Sequence, residues 1–151
     1  MRLLFLGLWL SLLVGCGSMP PAPGRTASVA LAEEQALATT LGQAIAPHAR
    51  AHPGASGIFA LVDPRDAFAA RIWLARSAER TLDVQYYIWR KDLTGTLLLD
   101  ALRHAAERGV RVRLLLDDNG TAGLDADLMA LDAHPQIEVR LFNPFRVRSH
   151  K

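Results

Sequence analysis

Thr81–Leu116 reads TLDVQYYIWRKDLTGTLLLDALRHAAERGVRVRLLL, and its periodicity changes twice. Thr81–Trp89 alternates, with Leu82, Val84, Tyr86 and Ile88 on one face and Asp83, Gln85, Tyr87 and Trp89 on the other, the period of a strand. Thr96–Arg108 has helical spacing, with Leu97, Leu98, Ala101, Leu102 and Ala105 inward and Gly109 as the stop. Val110–Leu116 is again a strand, rich in Val and Leu. Two strands joined by a crossover of helix length pair in parallel, because antiparallel neighbours need only a short hairpin.

The same alternation of elements extends outward. Upstream, Asp63-Pro64 opens a helix as N-cap and first helical residue, and Phe68, Ile72 and Ala75 give it one apolar stripe. Downstream, Asp125–Ala133 is a short helix carrying Leu128 and Leu131, and Ile137–Phe142 alternates before Asn143-Pro144 ends it. The pattern predicts an α/β unit, a partial α/β/α sandwich with a largely parallel sheet and helices on its faces. Three strands make a narrow sheet, so the unit is expected to be incomplete. Val29–Ala46 has helix-favouring composition, and Pro47–Gly57 is expected to break it as a loop. Gly17–Ser28, with three prolines and two glycines, reads as a tether.

Of the 151 residues, 50% are apolar and 21% charged, a globular balance. Seventeen basic against fifteen acidic side chains give no case for bulk attraction to nucleic acid. The sign is uneven, because Arg140, Arg146, Arg148 and Lys151 follow one another with no acid between them. A solvated tail and a phosphate-facing loop both fit that basic end. Cys16 is the only cysteine, so no disulfide forms within the chain. Arg2 precedes the twelve-residue apolar run Leu3–Val14, too short for the ~20 residues of a spanning helix and suited to a signal peptide. The run ends in Leu13-Val14-Gly15-Cys16, which resembles the lipobox of bacterial lipoproteins, so Met1–Gly15 is expected to be cleaved and the Cys16 thiol acylated. The divisions read from the sequence are residues 1–15 as signal peptide, 16–28 as lipidated cysteine and linker, 29–57 as helix and loop, and 58–151 as the α/β unit.

Ligands of open α/β sheets sit beyond the carboxyl ends of the strands. Trp89-Arg90-Lys91-Asp92, Asp117-Asp118-Asn119-Gly120 and Asn143-Pro144-Phe145-Arg146 fall there. A calcium loop through Asp117, Asn119 and Gly120 fails, because Leu115 and Ala126 would occupy positions that must ligate. A magnesium site on the Asp117–Asp118 pair, of the receiver-domain kind, is argued against by the export signal; Asp118 or Asn119 capping the turn before Gly120 is the simpler reading. His48 and His52 have helical metal-site spacing but lie between Pro47 and Pro53 with no third ligand nearby, while His104 and His134 read as surface residues. Neither a glycine-rich nucleotide cradle nor a Gly-x-Ser-x-Gly elbow is present.

Phe59–Pro64 with Ala67–Arg80, Leu82–Trp89, Thr96–Asp118 and Ile137–Phe145 together resemble the opening of the first lobe in bacterial phospholipase D superfamily proteins. With the lipoprotein-type signal, the likeness is to cardiolipin synthases of that type, from about Ile58 onward. The resemblance implies two His-x-Lys-x4-Asp motifs, one per lobe, meeting in one site. One histidine attacks the phosphorus of a phosphodiester, the other protonates the leaving alcohol, and the lysines neutralise the phosphate, so that no cofactor or metal is required. No histidine of this sequence is followed two places later by lysine, so no catalytic residue carries over. The resemblance points to Tyr87, Asp117 and Asp118 as residues lining the approach to the site. The expectation is an N-terminal fragment of a membrane-anchored enzyme of phosphatidyl transfer or phosphodiester hydrolysis, inactive alone and needing its C-terminal lobe. Membrane phospholipids are its expected partners, with no nucleic acid. Its expected place is the bacterial envelope, and with Gly17 after Cys16 the outer membrane facing the periplasm if the cell is Gram-negative. A non-catalytic α/β binding lipoprotein is the alternative, and a nuclease of the same superfamily is disfavoured by the anchor.

Overall fold

The computed structural model describes residues 29–145, and the expected signal peptide, Cys16, the expected tether and the basic residues from Arg146 onward lie outside them. The compact unit that begins at Leu31 contains α1 (Glu33–Leu37), α2 (Thr40–Ala51), α3 (Pro64–Ser77), β1 (Thr81–Tyr86), α4 (Leu93–Glu107), β2 (Arg111–Asp117), a 3-10 turn (Asp118–Gly120), α5 (Asp125–Asp132) and β3 (Ile137–Phe142).

The sheet is parallel throughout, in the order β1-β2-β3. Its register aligns Leu82 with Val112 and Ile137, Val84 with Leu114 and Val139, and Tyr86 with Leu116 and Leu141. These rows share one face, and they pack against Ala75 of α3, Leu98, Ala101, Leu102 and Ala105 of α4, and Leu128 and Leu131 of α5 to form the core. Both crossovers carry their helix to this face, as consecutive parallel strands added in one direction require. The expected sandwich therefore has one of its two helical layers among the described residues. The opposite face is a charged ladder, with Asp83, Arg113 and Glu138 in one row and Gln85, Leu115 and Arg140 in the next. Across it Arg113 grips Asp83 with two bonds, Nε to Oδ1 at 2.6 Å and a terminal nitrogen to Oδ2 at 2.5 Å.

The start of α3 is as read: Asp63 accepts from the backbone N–H of Arg65 at 2.7 Å, with Pro64 in the first turn. Its far end is held from another element. A terminal nitrogen of Arg108, just past α4, donates to the carbonyls of Ala75, Arg76 and Ala78 at 2.9–3.2 Å, giving partners to groups a helix end leaves unpaired.

Three expectations are corrected. Pro47 does not end its helix: the interruption comes earlier, at Ala38-Thr39, and α2 runs on to Ala51 with Pro47 inside. Thr39 caps the new start by accepting from the N–H of Gly42 at 3.0 Å, and around Pro47 the helix is exposed, so water can reach the carbonyl that proline cannot serve. Second, α4 starts at Leu93 rather than Thr96, because Asp92 accepts from the N–H of Gly95 at 2.8 Å and fixes the first turn; Leu97, read as inward, is exposed. Third, the alternation of the first strand stops at Tyr86. Beyond it the chain bends, so Ile88 is 52% exposed while Trp89 is 4% exposed and packs its ring edge-on to Tyr86 at 4.9 Å.

Candidate functional site

Because the strands are parallel, their carboxyl ends share one edge of the sheet, and the three loops singled out by sequence meet there. They are bound to one another by the backbone. Trp89 donates its N–H to the carbonyl of Gly120 at 3.1 Å. A methyl group on Gly120 would lie 2.3 Å from the carbonyl oxygen of Tyr87, so only glycine permits the approach. The third loop is held by Asp118, whose Oδ2 accepts from the N–H of Phe145 at 2.6 Å. Asn143, which ends β3 with a left-handed φ of 50°, reaches Oδ2 of Asp117 at 3.5 Å.

The residues predicted to line the approach separate on inspection. Tyr87 is exposed and borders a hollow of ≈ 480 Å³ with Ile88, Lys91, Asp92, Asn119 and Ala122. Asp117 is partly buried and accepts from the N–H of Asn119 at 2.9 Å, so it is Asp117, not Asp118 or Asn119, that caps the turn before Gly120. Asp118 is fully buried, with Oδ1 accepting from the Thr121 hydroxyl at 3.0 Å while Oδ2 holds Phe145. Its carboxylate pins two loops from the inside and does not border the hollow.

The histidines lie elsewhere. His104 is on the exposed side of α4, with its Nδ1 2.9 Å from the carbonyl of Asp100. His134 follows α5 and takes the N–H of Gln136 on Nδ1 at 3.1 Å. His48 lies in α2 and His52 at its end, with the Nδ1 of His52 3.1 Å from the carbonyl of His48. Among the described residues no group of three or more His, Cys, Asp or Glu side chains gathers as a metal site. The edge does carry cations: Arg90 is exposed beside the hollow, and Lys91 pairs with Asp127 at 2.8 Å. Asp92 is held below the usual carboxylate range, first by the N–H of Gly95, then by the hydroxyl of Thr94, and in smaller part by the charge of Arg90. Among the described residues the edge thus offers charge and hydrogen bonds but no nucleophile paired with an acid.

Sequence reading missed the inward turn of Trp89, the long-range grip of Asp118 and the carbonyl clamp of Arg108. Only the first had a local signal, the Asp92-Leu93-Thr94-Gly95 run that starts α4 early and bends the chain before it.

No family model matches the chain. It is 62% identical over 108 residues to cardiolipin synthase C of Escherichia coli strain K12, covering 72% of this chain and 23% of that protein. It is 31% identical over 91 residues to cardiolipin synthase of Oceanobacillus iheyensis, covering 60% of this chain and 19% of the other. Among solved structures it is similar to Nuc of Salmonella typhimurium, a phospholipase D family member, at 22% identity and a TM-score of 0.39 over 57% of this chain and 55% of that one. The chain spans less than a quarter of the length of these curated relatives. No helix among the described residues is long and apolar enough to cross a membrane.

Proposed function

Because this chain belongs to the phospholipase D superfamily, and is cardiolipin synthase-like within it, we propose that it supplies the front of the first lobe of an envelope enzyme acting on phosphodiester bonds of phospholipids. Phosphatidyl transfer to form cardiolipin is the favoured reaction and hydrolysis the variant. The observation that carries this reading is the 62% identity to cardiolipin synthase C, which extends over 72% of the chain. In this proposal residues 1–15 are a cleaved signal and Cys16 is acylated. The α/β unit then stands off the outer membrane on its tether, facing the periplasm in a Gram-negative cell. Tyr87 and Asp117 lie beside the approach to the reaction site, and Asp118 holds that approach together from within.

The chain by itself is inactive in this reading. The chemistry requires a nucleophile, a general acid and cations on the phosphate, positioned before substrate arrives. Among the described residues no histidine reaches the edge where the loops meet, which favours a positioning and binding role for this part alone. The test is expression in a bacterium lacking its cardiolipin synthases, with cardiolipin measured by mass spectrometry. This chain is expected to restore none, and a reading frame extended through two His-x-Lys-x4-Asp motifs is expected to restore it. Cardiolipin made by the present chain would defeat the inactivity claim, and an extended frame lacking both motifs would support the non-catalytic lipoprotein instead.

A further inference from the structure

α3 and α4 pack side by side on one face of the sheet, and the valley between them is a hollow of ≈ 480 Å³. That volume falls within the ~300–1,000 Å³ usual for ligand pockets. The two helices line it in the same order. Phe68 and Ile72 of α3 and Leu97 and Ala101 of α4 form an apolar trough, and Arg76 and Arg108 stand at its end. Steps of four residues bring Phe68, Ile72 and Arg76 onto one side of α3, and the eight residues from first to last span about 12 Å. Because α3 leads into β1 and α4 into β2, the arginines lie where the strands begin, opposite the edge where the three loops meet. Neither arginine has a carboxylate. Among the described residues the side chain of Arg76 makes no hydrogen bond or ion pair. Arg108 donates only to backbone carbonyls, those of His104, Ala75, Arg76 and Ala78. Asp100 and His104 also border the hollow, but the Asp100 carboxylate is engaged, by Arg103 at 2.8 Å and by His104 at 3.2 Å.

An apolar trough that ends at two guanidiniums without counter-ions selects its ligand by shape and by charge. A small anion serves the arginines and leaves the trough wet, while a neutral alkyl chain fills the trough and leaves the arginines unserved. A helix of another protein is ~10–12 Å across and rides above a valley between helices packed at ~8–10 Å. An extended alkyl chain enters it. We propose that this groove binds a single-chain amphiphile with a carboxylate head, a free medium-chain fatty acid. Its chain lies along Phe68, Ile72, Leu97 and Ala101, and its carboxylate accepts from Arg76 beside the charge of Arg108. The planar fork of a guanidinium matches both oxygens of a carboxylate, and bonds between charged partners are the strong ones. The same site gives a reason for Leu97 to face solvent although its neighbours Leu98 and Ala101 are buried.

The δ-methyl NMR signal of Ile72, in the full chain held in phosphatidylcholine nanodiscs and assigned with Ile72→Val, reports on the trough directly. Octanoate is expected to move it saturably while the signals of Ile88 and Ile137 stay fixed. Acetate, with the head and no chain, is expected to leave it in place. Octan-1-ol, with the chain and no charge, is expected to bind about tenfold more weakly than octanoate, the loss of a charge-assisted bond. Arg76→Gln removes a side chain that holds nothing else in the fold, and is expected to weaken octanoate about tenfold and leave octan-1-ol unchanged. An Ile72 signal that octanoate does not move, or that octan-1-ol moves at equal concentration, overturns the proposal. So does octanoate binding unaltered by Arg76→Gln. An acidic amphipathic helical peptide that moves the signal where octanoate fails makes the valley a protein interface instead. The readout needs no turnover, so its failure leaves the proposed reaction standing, and failure of the extended frame to make cardiolipin leaves this binding standing.

Discussion

Asp118 and Asp83 show how differently one residue type behaves in the two settings of this unit. Asp118 is sealed from solvent and satisfies the Thr121 hydroxyl and the Phe145 N–H. Asp118→Ala removes two hydrogen bonds to a charged acceptor, while the Thr121 hydroxyl keeps its bond to the Asp118 carbonyl at 3.0 Å, and the cost is about 1–3 kcal/mol. Urea unfolding of the variant is expected to show that loss, and a midpoint unchanged from wild type would mean the loops are held by other means. Asp83 lies on the open ladder, where the Arg113 guanidinium hydrogen-bonded to it holds its carboxyl below the usual range. A depressed carboxylate stabilises the folded chain above its unfolded value, ~3.9 for a free side chain, and the contribution is lost as pH falls through the lower folded value. Because the pair is half-exposed and screened, it is worth only about 0.5 kcal/mol. Thermal melts of Asp83→Asn should therefore lie slightly below wild type at pH 7 and converge with it in strong acid. Curves that stay apart there would refute the assignment.

At the scale of elements, the clamp of Arg108 on the end of α3 is a long-range feature built by the residue that follows α4. Arg108→Ala is expected to lower stability by roughly 1–2 kcal/mol, since bonds from a charged donor exceed those between neutral groups. Arg108→Lys is expected to recover little, because the guanidinium serves the His104 carbonyl with its other terminal nitrogen at 3.1 Å while it holds α3, and an ammonium has a single nitrogen for both. Chemical denaturation of both variants checks this, and full rescue by Lys would reduce the clamp to simple charge. The strands and the start of α3 were legible because period 2, period 3.6 and the Asp63-Pro64 cap are written in consecutive residues. Trp89 was misread because alternation says nothing of where a strand bends, and Pro47 because a breaker at an exposed position is tolerated. The pins from Asp118 and Arg108 join residues 27 to 33 positions apart, and no local pattern carries that information. The loops of the candidate site were found from the rule that parallel strands end together. Which of their carboxylates faces outward was decided by packing.

For the molecule as a whole, the proposed anchor and the surface make one prediction. Ile58, Phe59 and Val62 are 92%, 86% and 90% exposed ahead of α3 and offer a second, weaker means of attachment to lipid beside the acylated Cys16. Each buried acyl methylene contributes about 0.8 kcal/mol, more per chain than scattered apolar side chains supply. Cys16→Ser is expected to move the protein from the membrane to the soluble fraction on cell fractionation, and unchanged retention would assign attachment to the protein surface itself. The order of the strands has a temporal consequence. Thr81 pairs with Arg111 and Val112 with Ile137, so each strand docks beside the one made just before it. A chain delivered from its amino terminus, by ribosome or translocation pore, can therefore lay down this sheet in the sequence of its arrival. Among the three described strands none waits for a distant one to pair with its predecessor, and that margin of the sheet advances with the newest strand.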